Sequence, residues 1–115
     1  MAVTEPAIKH LRVTNPGCFV ASQTLESGET MRIDPSMLDV DGIEIQDIGY
    51  GSDCTVSISV TTGGADRTIP YQEFTGSGIE ADIGLQLVSG QMHLEIENTA
   101  NEAAADYFVT ATEPY

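Results

Sequence analysis

The feature that most constrains this chain is a strict two-residue alternation of apolar and polar side chains, repeated in several separate segments. Cys54-Thr-Val56-Ser-Ile58-Ser-Val60 puts apolar residues at even positions and small hydroxyls at odd ones. Ile79-Glu-Ala81-Asp-Ile83-Gly-Leu85-Gln-Leu87 is the longest such run. Met92-His-Leu94-Glu-Ile96-Glu repeats the pattern with His93, Glu95 and Glu97 outward, and Tyr107-Phe-Val109-Thr-Ala111 repeats it again. Successive side chains of a strand point to opposite faces, so each run predicts a strand with one buried face. A helix would scatter the same residues around its axis, and the many glycines and β-branched residues oppose it further.

The first half is less regular but of the same kind. Lys9–Val13, Cys18–Leu25, Thr30–Ile33 and Ile43–Ile48 read as strands, and Glu26-Ser-Gly28-Glu29 reads as a turn in which Gly28 takes a positive φ. Turn signals separate the runs at Asn15-Pro16-Gly17, Asp41-Gly42, Gly63-Gly64, Gly76-Ser-Gly78 and Ser89-Gly90. Ser89-Gly90, between the two most regular runs, is the best hairpin candidate. Thr68–Phe74 can pair only as an edge strand or at a bulge, because Pro70 has no N–H for a ladder. Pro35-Ser-Met-Leu fits a 3-10 turn, and Asn101–Ala105 is too short for more than one helical turn. About eight strands at intervals of roughly ten residues predict a single antiparallel β-sandwich or small barrel. The 115 residues read as one domain, with residues 1–7 and 113–115 as arms available to a neighbouring subunit.

Charge narrows the partners. Eighteen Asp and Glu face four Lys and Arg, a formal net charge of −14. Spread over a folded surface of roughly 6,000 Å², the carboxylates stand about 18 Å apart, beyond the screening length of about 8 Å in physiological salt. Repulsion alone therefore does not forbid folding in an ordinary cell. The single lysine, Lys9, is the sharper signal. Lysine covers surface with a long apolar stem, whereas short carboxylates hold water and hydrated cations in concentrated salt. Acid excess with lysine poverty reads as a halophile surface. Scattered basic residues argue against nucleic acid, and the same charge argues against an anionic membrane. No apolar run approaches the length of a membrane-spanning helix, and Met1–Pro6 does not read as a Sec-type signal.

Few residues suggest chemistry. Asp39-Val-Asp41-Gly42-Ile-Glu44 resembles part of a calcium loop, but the remaining ligand positions are not completed. Asp39, Asp41 and Glu44 are thus candidate metal ligands against a plain reading as a solvated acidic turn, and the bound species expected are cations from concentrated salt, with no cofactor. Cys18 and Cys54 permit one disulfide, although Cys54 falls on a core phase. His10 and His93 fall on outward strand phases and read as surface histidines. Ser52-Asp53-Cys54 looks like a reactive trio, yet Asp53 belongs to a turn and Cys54 to the core. With no nucleophile elbow, catalytic-cysteine signature or phosphate loop, the chain is expected not to be an enzyme. Tyr107 is expected in the core or at a corner. Pro114 and Tyr115 are candidate interface contacts, since Tyr is favoured at interfaces.

Two stretches carry a family resemblance: Val20-Ala-Ser-Gln-Thr-Leu-Glu-Ser-Gly-Glu, and Leu94-Glu-Ile-Glu-Asn98-Thr99 followed by Ala105-Asp106-Tyr107-Phe-Val109-Thr. With the acidic surface, they resemble small jelly-roll-type β-sandwich structural proteins of haloarchaeal viruses, used as capsid decorations, turrets or tail components. The resemblance implies a non-enzymatic virion protein in a symmetric homo-oligomer, with other virion proteins as partners. The alternative is an extracellular or virion-surface module recognising a host glycan or receptor through loops 49–53, 63–67 and 75–78. Outside a virion, the expected location is the surface or cytoplasm of a halophile.

Overall fold

The computed structural model describes residues 3–4, 7–11, 18–38, 40–62, 65–101 and 103–113. Among the described residues there are eleven strands and one 3-10 turn, at Pro35–Leu38, and no α-helix. The strands are β1 (Val3–Thr4), β2 (Ala7–Leu11), β3 (Cys18–Leu25), β4 (Thr30–Ile33), β5 (Gly42–Tyr50) and β6 (Cys54–Thr62). They continue with β7 (Ala65–Phe74), β8 (Gly78–Glu80), β9 (Leu85–Val88), β10 (Met92–Asn98) and β11 (Ala105–Thr112). One sheet has the order β1-β4-β10-β6-β7, and the other has the order β2-β3-β11-β5-β8, with β9 also on β5.

The antiparallel pairs are nested. β3 pairs with β11, β4 with β10, β5 with β8 and β9, and β6 with β7. Taking β8 and β9 as one interrupted strand, eight strands make four nested pairs that alternate between the sheets, which is the jelly roll. The expected antiparallel sandwich of about eight strands is therefore present. Within the segment expected as an N-terminal arm, Val3 and Thr4 pair in parallel with Thr30 and Met31, and Ala7 opens β2.

Alternation sets the core. Cys54 and Val56 of β6, Leu94 and Ile96 of β10, and Met31 and Ile33 of β4 face inward from one sheet. Ile43, Ile45, Ile48, Leu87, Tyr107 and Val109 face them from the other. The 3-10 turn forms where expected, started by Asp34, whose Oδ1 accepts from the Ser36 N–H at 3.0 Å and the Ser36 hydroxyl at 2.8 Å. Leu38 packs against the core.

Two expectations are corrected. The run from Ile79 to Leu87 is not one strand. Gln46 is an extra residue in β5: Thr110 pairs with Asp47 and Ala111 with Ile45, so Gln46 has no partner in that register. On the other side of β5, pairing stops after Ile48–Glu80 and resumes at Ile45–Leu85. The intervening chain turns through Asp82 (φ 57°) and Gly84 (φ 69°), and the Ile83 N–H bonds the Gln46 carbonyl at 2.8 Å. Phase is lost across this break, so Leu87 is buried while Ile79 is exposed. The second correction concerns Ser89-Gly90. A turn does form there, with Gly90 at φ 80° and the Gln91 N–H donating to the Val88 carbonyl. It joins β9 of one sheet to β10 of the other, so it is a corner between layers and not a hairpin.

Candidate assembly surface

One end of the sandwich is closed by buried polar groups. Asn98, fully buried, donates from Nδ2 to the carbonyls of Leu25 and Ala103, each at 2.9 Å. Its Oδ1 accepts from the Ala100 N–H at 3.0 Å and the Ser52 hydroxyl at 3.2 Å. Ser52 also shares a hydrogen bond with the Tyr107 hydroxyl at 2.9 Å. Asp53 accepts the Gly76 N–H at 2.7 Å, and its carbonyl accepts the Thr99 N–H at 3.0 Å. Ser52 and Asp53 are thus bound into this network, while Cys54 faces the core. Burial first, and then the Asp53 carboxylate, push the Cys54 thiol up to about 11. The Tyr107 phenol is also raised, chiefly by burial, with the Ser52 hydrogen bond opposing and Cys54 and Asp53 adding. A thiol held protonated is a poor nucleophile. No disulfide joins Cys54 to Cys18.

The other sequence-derived candidates do not converge. Asp39, Pro114 and Tyr115 lie outside the described residues. Asp41 is exposed at the rim of a cleft of about 260 Å³ that also holds Gln86, Val88 and Glu113. Glu44 is engaged by amides, accepting from Gln46 Nε2 at 2.7 Å and Gln86 Nε2 at 3.3 Å. Among the described residues no group of three or more His, Cys, Asp or Glu is placed to hold a metal ion. His93 corrects an expectation. It takes the outward phase of β10 but is only 9% exposed, and its Nε2 lies 3.0 Å from Glu95 Oε2. The strand is central, flanked by β4 and β6, and Ser59 opposite it on β6 is buried too. An outward phase in mid-sheet is covered by its neighbours' side chains. The His10 side chain lies outside the described residues.

Exposed apolar side chains collect on one flank. Among the described residues the exposed large hydrophobics are Ile69 (53%), Tyr71 (40%), Ile79 (62%) and Val88 (44%). All four sit on β7, β8 and β9, three strands consecutive in the chain, of which β7 ends one sheet order and β8 ends the other, with β9 also on β5. Ile79 and Val88 take the outward phase of their strands, opposite Gly49 and Gly42, and on β7 the exposure goes with a mismatch of lengths. β7 has ten residues, about 33 Å of strand, whereas β8 has three, about 10 Å. Phe74 anchors one end of β7 by stacking on Tyr50 at 4.6 Å, and the residues from Arg67 to Glu73 are exposed. Pro70 does fall on an edge strand beside an irregularity: Val56 pairs with Gln72 and Ser57 with Pro70, leaving Tyr71 between registers. A missing donor and an out-of-register residue interrupt the free edge, which discourages open-ended strand stacking.

Sequence reasoning missed one further feature. Gly49, expected in the loop 49–53, lies inside β5, paired with Phe108. A Cβ there would collide with Phe108 ring atoms, so the ring lies across the bare glycine on the outer face of the six-stranded sheet. Beside it is a groove of about 490 Å³ lined by Ser22, Gln23, Thr24, Asp106, Tyr107 and Phe108. Thr24 donates to Asp106 at 2.5 Å, and Thr110 donates to Asp47 at 2.9 Å. A glycine directly after the inward Ile48, at the outward phase of the same strand, is the signal that could have shown it.

The segments named as recognition loops are placed as follows among the described residues. Residues 51–53 and 75–76 adjoin through the Asp53–Gly76 bond. Residues 65–67 lie at the opposite end of β7, about 30 Å of strand away.

No family model and no curated protein matches the chain. Solved structures do. A cysteine peptidase from Thevetia peruviana latex, Peruvianin-I, is similar at 12% identity and TM-score 0.47, over 84% of this chain and 51% of that one. An uncharacterised double-stranded β-helix protein from Klebsiella pneumoniae is similar at 15% identity and TM-score 0.47, covering 94% and 76%. The Schizosaccharomyces pombe Cnp3 cupin domain is similar at 12% identity and TM-score 0.46, covering 92% and 60%. This chain thus spans about half the length of the peptidase.

Proposed function

We propose that this protein is a non-enzymatic structural subunit that assembles into a symmetric homo-oligomer through its β7–β9 flank, as part of the capsid or tail of a halophilic virus. The observation that carries the assembly reading is the concentration of Ile69, Tyr71, Ile79 and Val88 on one border. Apolar side chains scattered singly over a surface are ordinary, and the placing of all four on consecutive edge strands is what favours an interaction site there. The interrupted edge at Pro70 favours a closed assembly over a fibre. Structural engagement of Ser52, Asp53 and His93, and the protonated Cys54 thiol, support a non-catalytic role. The virion setting rests on the family resemblance and on the lysine-poor, acidic surface.

Salt connects the two halves of the reading. At molar ionic strength the screening length falls to about 3 Å, so copies carrying a net charge of −14 can bring apolar flanks together. Light scattering in molar salt should give a discrete trimer, pentamer or hexamer, and Ile69→Asp combined with Ile79→Asp should leave a monomer. A strict monomer at every concentration in molar salt would sink the proposal. Melting temperatures should fall as salt is lowered to millimolar, and a flat profile would remove the halophile setting.

A further inference from the structure

The geometry points to a second surface with a different ligand: we infer that the outer face of the six-stranded sheet, around Phe108, binds a neutral carbohydrate chain. Phe108 lies across Gly49 and is partly exposed, a rigid apolar platform in the middle of a sheet face. Glycine at this position is what lets the ring lie down, because any Cβ would lift it away. Next to the platform is the open groove of about 490 Å³ described above.

The rim decides the class of ligand. Ser22, Thr24 and Asp106 border the groove, and Asp47 and Thr110 continue the same face beyond the ring. Each carboxylate is held in place by a neutral hydroxyl donor, Thr24 on Asp106 and Thr110 on Asp47. Carboxylates held this way keep further lone pairs for hydroxyl donors. A pyranose ring meets both demands: its C–H face covers the aromatic platform, and its hydroxyls donate to the fixed oxygens around it. A nucleic acid or another anionic polymer is repelled by the same carboxylates. A purely apolar partner would bury those carboxylates without donors, which is costly. This face meets the β7–β9 flank at Ile79, which pairs with Gly49, and oligosaccharide binding and oligomeric state are read by separate measurements.

The test is an amide chemical-shift titration of the intact protein, in molar salt, with neutral gluco-, manno- and galacto-oligosaccharides in turn. At least one should shift the signals of Ser22, Thr24, Asp106 and Phe108 with a weak, about millimolar, Kd. Phe108→Ala should weaken that binding about tenfold or more, as truncating an aromatic anchor does, while Phe108→Tyr, which keeps the ring, should retain it. Asp106→Asn should weaken it less. The inference is overturned if no oligosaccharide shifts these signals, if Phe108→Ala binds as well as the parent, or if a lysine-rich peptide occupies the face more tightly than any sugar. Circular dichroism and one-dimensional NMR spectra of each variant separate lost binding from lost fold. Should Phe108→Ala not fold, the comparison of Phe108→Tyr with Asp106→Asn against the parent decides the matter, and equal binding by all three overturns it.

Discussion

The closed end around Asn98 and the open flank along β7 solve opposite problems. At the closed end polar groups are buried, and the Asn98 amide reaches four partners drawn from three separate segments. Along the flank apolar groups are exposed, and the principal contacts of β7 are with β6 alone. A buried polar group is costly unless every lone pair and proton finds a partner, so such a network specifies one arrangement of its loops. Exposed apolar residues cost the monomer little and leave the surface free to gain from burial later. A single arrangement of loops is therefore specified at one end of the molecule, and apolar surface is left at the side.

That contrast is easiest to break at the closed end. Asn98→Ala removes the partner of the Leu25 and Ala103 carbonyls and of the Ala100 N–H at once, leaves Ser52 with the Tyr107 hydroxyl, and should cost about 3 kcal/mol in urea unfolding. A loss below about 1 kcal/mol would mean that water replaces the amide and the network specifies little. Alkaline pH probes the same end less severely. The folded protein keeps the Cys54 thiol protonated up to about 11, whereas the unfolded chain releases the proton near the ordinary value of 9.0. Stability fully present below pH 9 should therefore decline as pH rises towards about 11. Tyr107, raised above its ordinary 10.0, extends the decline upward. Urea midpoints for the parent and for Cys54→Ala, measured at about pH 8 and about pH 10.5, should show a shallower loss in the variant. Equal slopes would remove Cys54 from the account. The flank should respond least: Ile69→Thr and Ile79→Thr should each change monomer stability by less than about 0.5 kcal/mol while reducing self-association in light scattering. A large loss of monomer stability would show that the flank belongs to the core.

Much of the architecture was legible in the chain because it is written locally. The even positions from Cys54 to Val56, Leu94 and Ile96, and Tyr107 and Val109 are all inside, as their phase requires. Pro70 falls on an edge beside an irregularity, for the covalent reason that a proline has no N–H to give. What could not be read is what depends on partners far away in sequence. Alternation tells which side of a strand is apolar but not which sheet receives it, so the runs flanking Ser89-Gly90 looked like a hairpin although they belong to different layers. The break at Asp82–Gly84 follows from one extra residue in β5, some 35 positions earlier, where Asp47 Oδ1 accepts the Asp82 N–H. Asn98 looked like the tail of a strand, and Gly49 like a loop residue. Their roles appear only when β3, β5 and β11 lie side by side. The exposure of Ile79 was not legible, because its apolar phase matched that of buried Leu87.

Nested pairing also has a consequence in time. The innermost pair, β6 with β7, joins neighbours in the chain, while Leu25 of β3 waits for Ala105 of β11. At a translation rate of about 5–20 residues per second, the 80 positions from residue 25 to residue 105 (105 − 25) take about 4–16 s to synthesise. For that interval β3 and β5 lack the strand that later lies between them, and Phe19, Ala21, Ile45 and Ile48 have only part of their final cover. The β6–β7 hairpin can close early, but the roll cannot shut until β11 has left the ribosome. High synthesis rates of this protein should therefore raise the nascent chain's demand for holding chaperones more than they would for a helical domain of equal length, whose contacts are local.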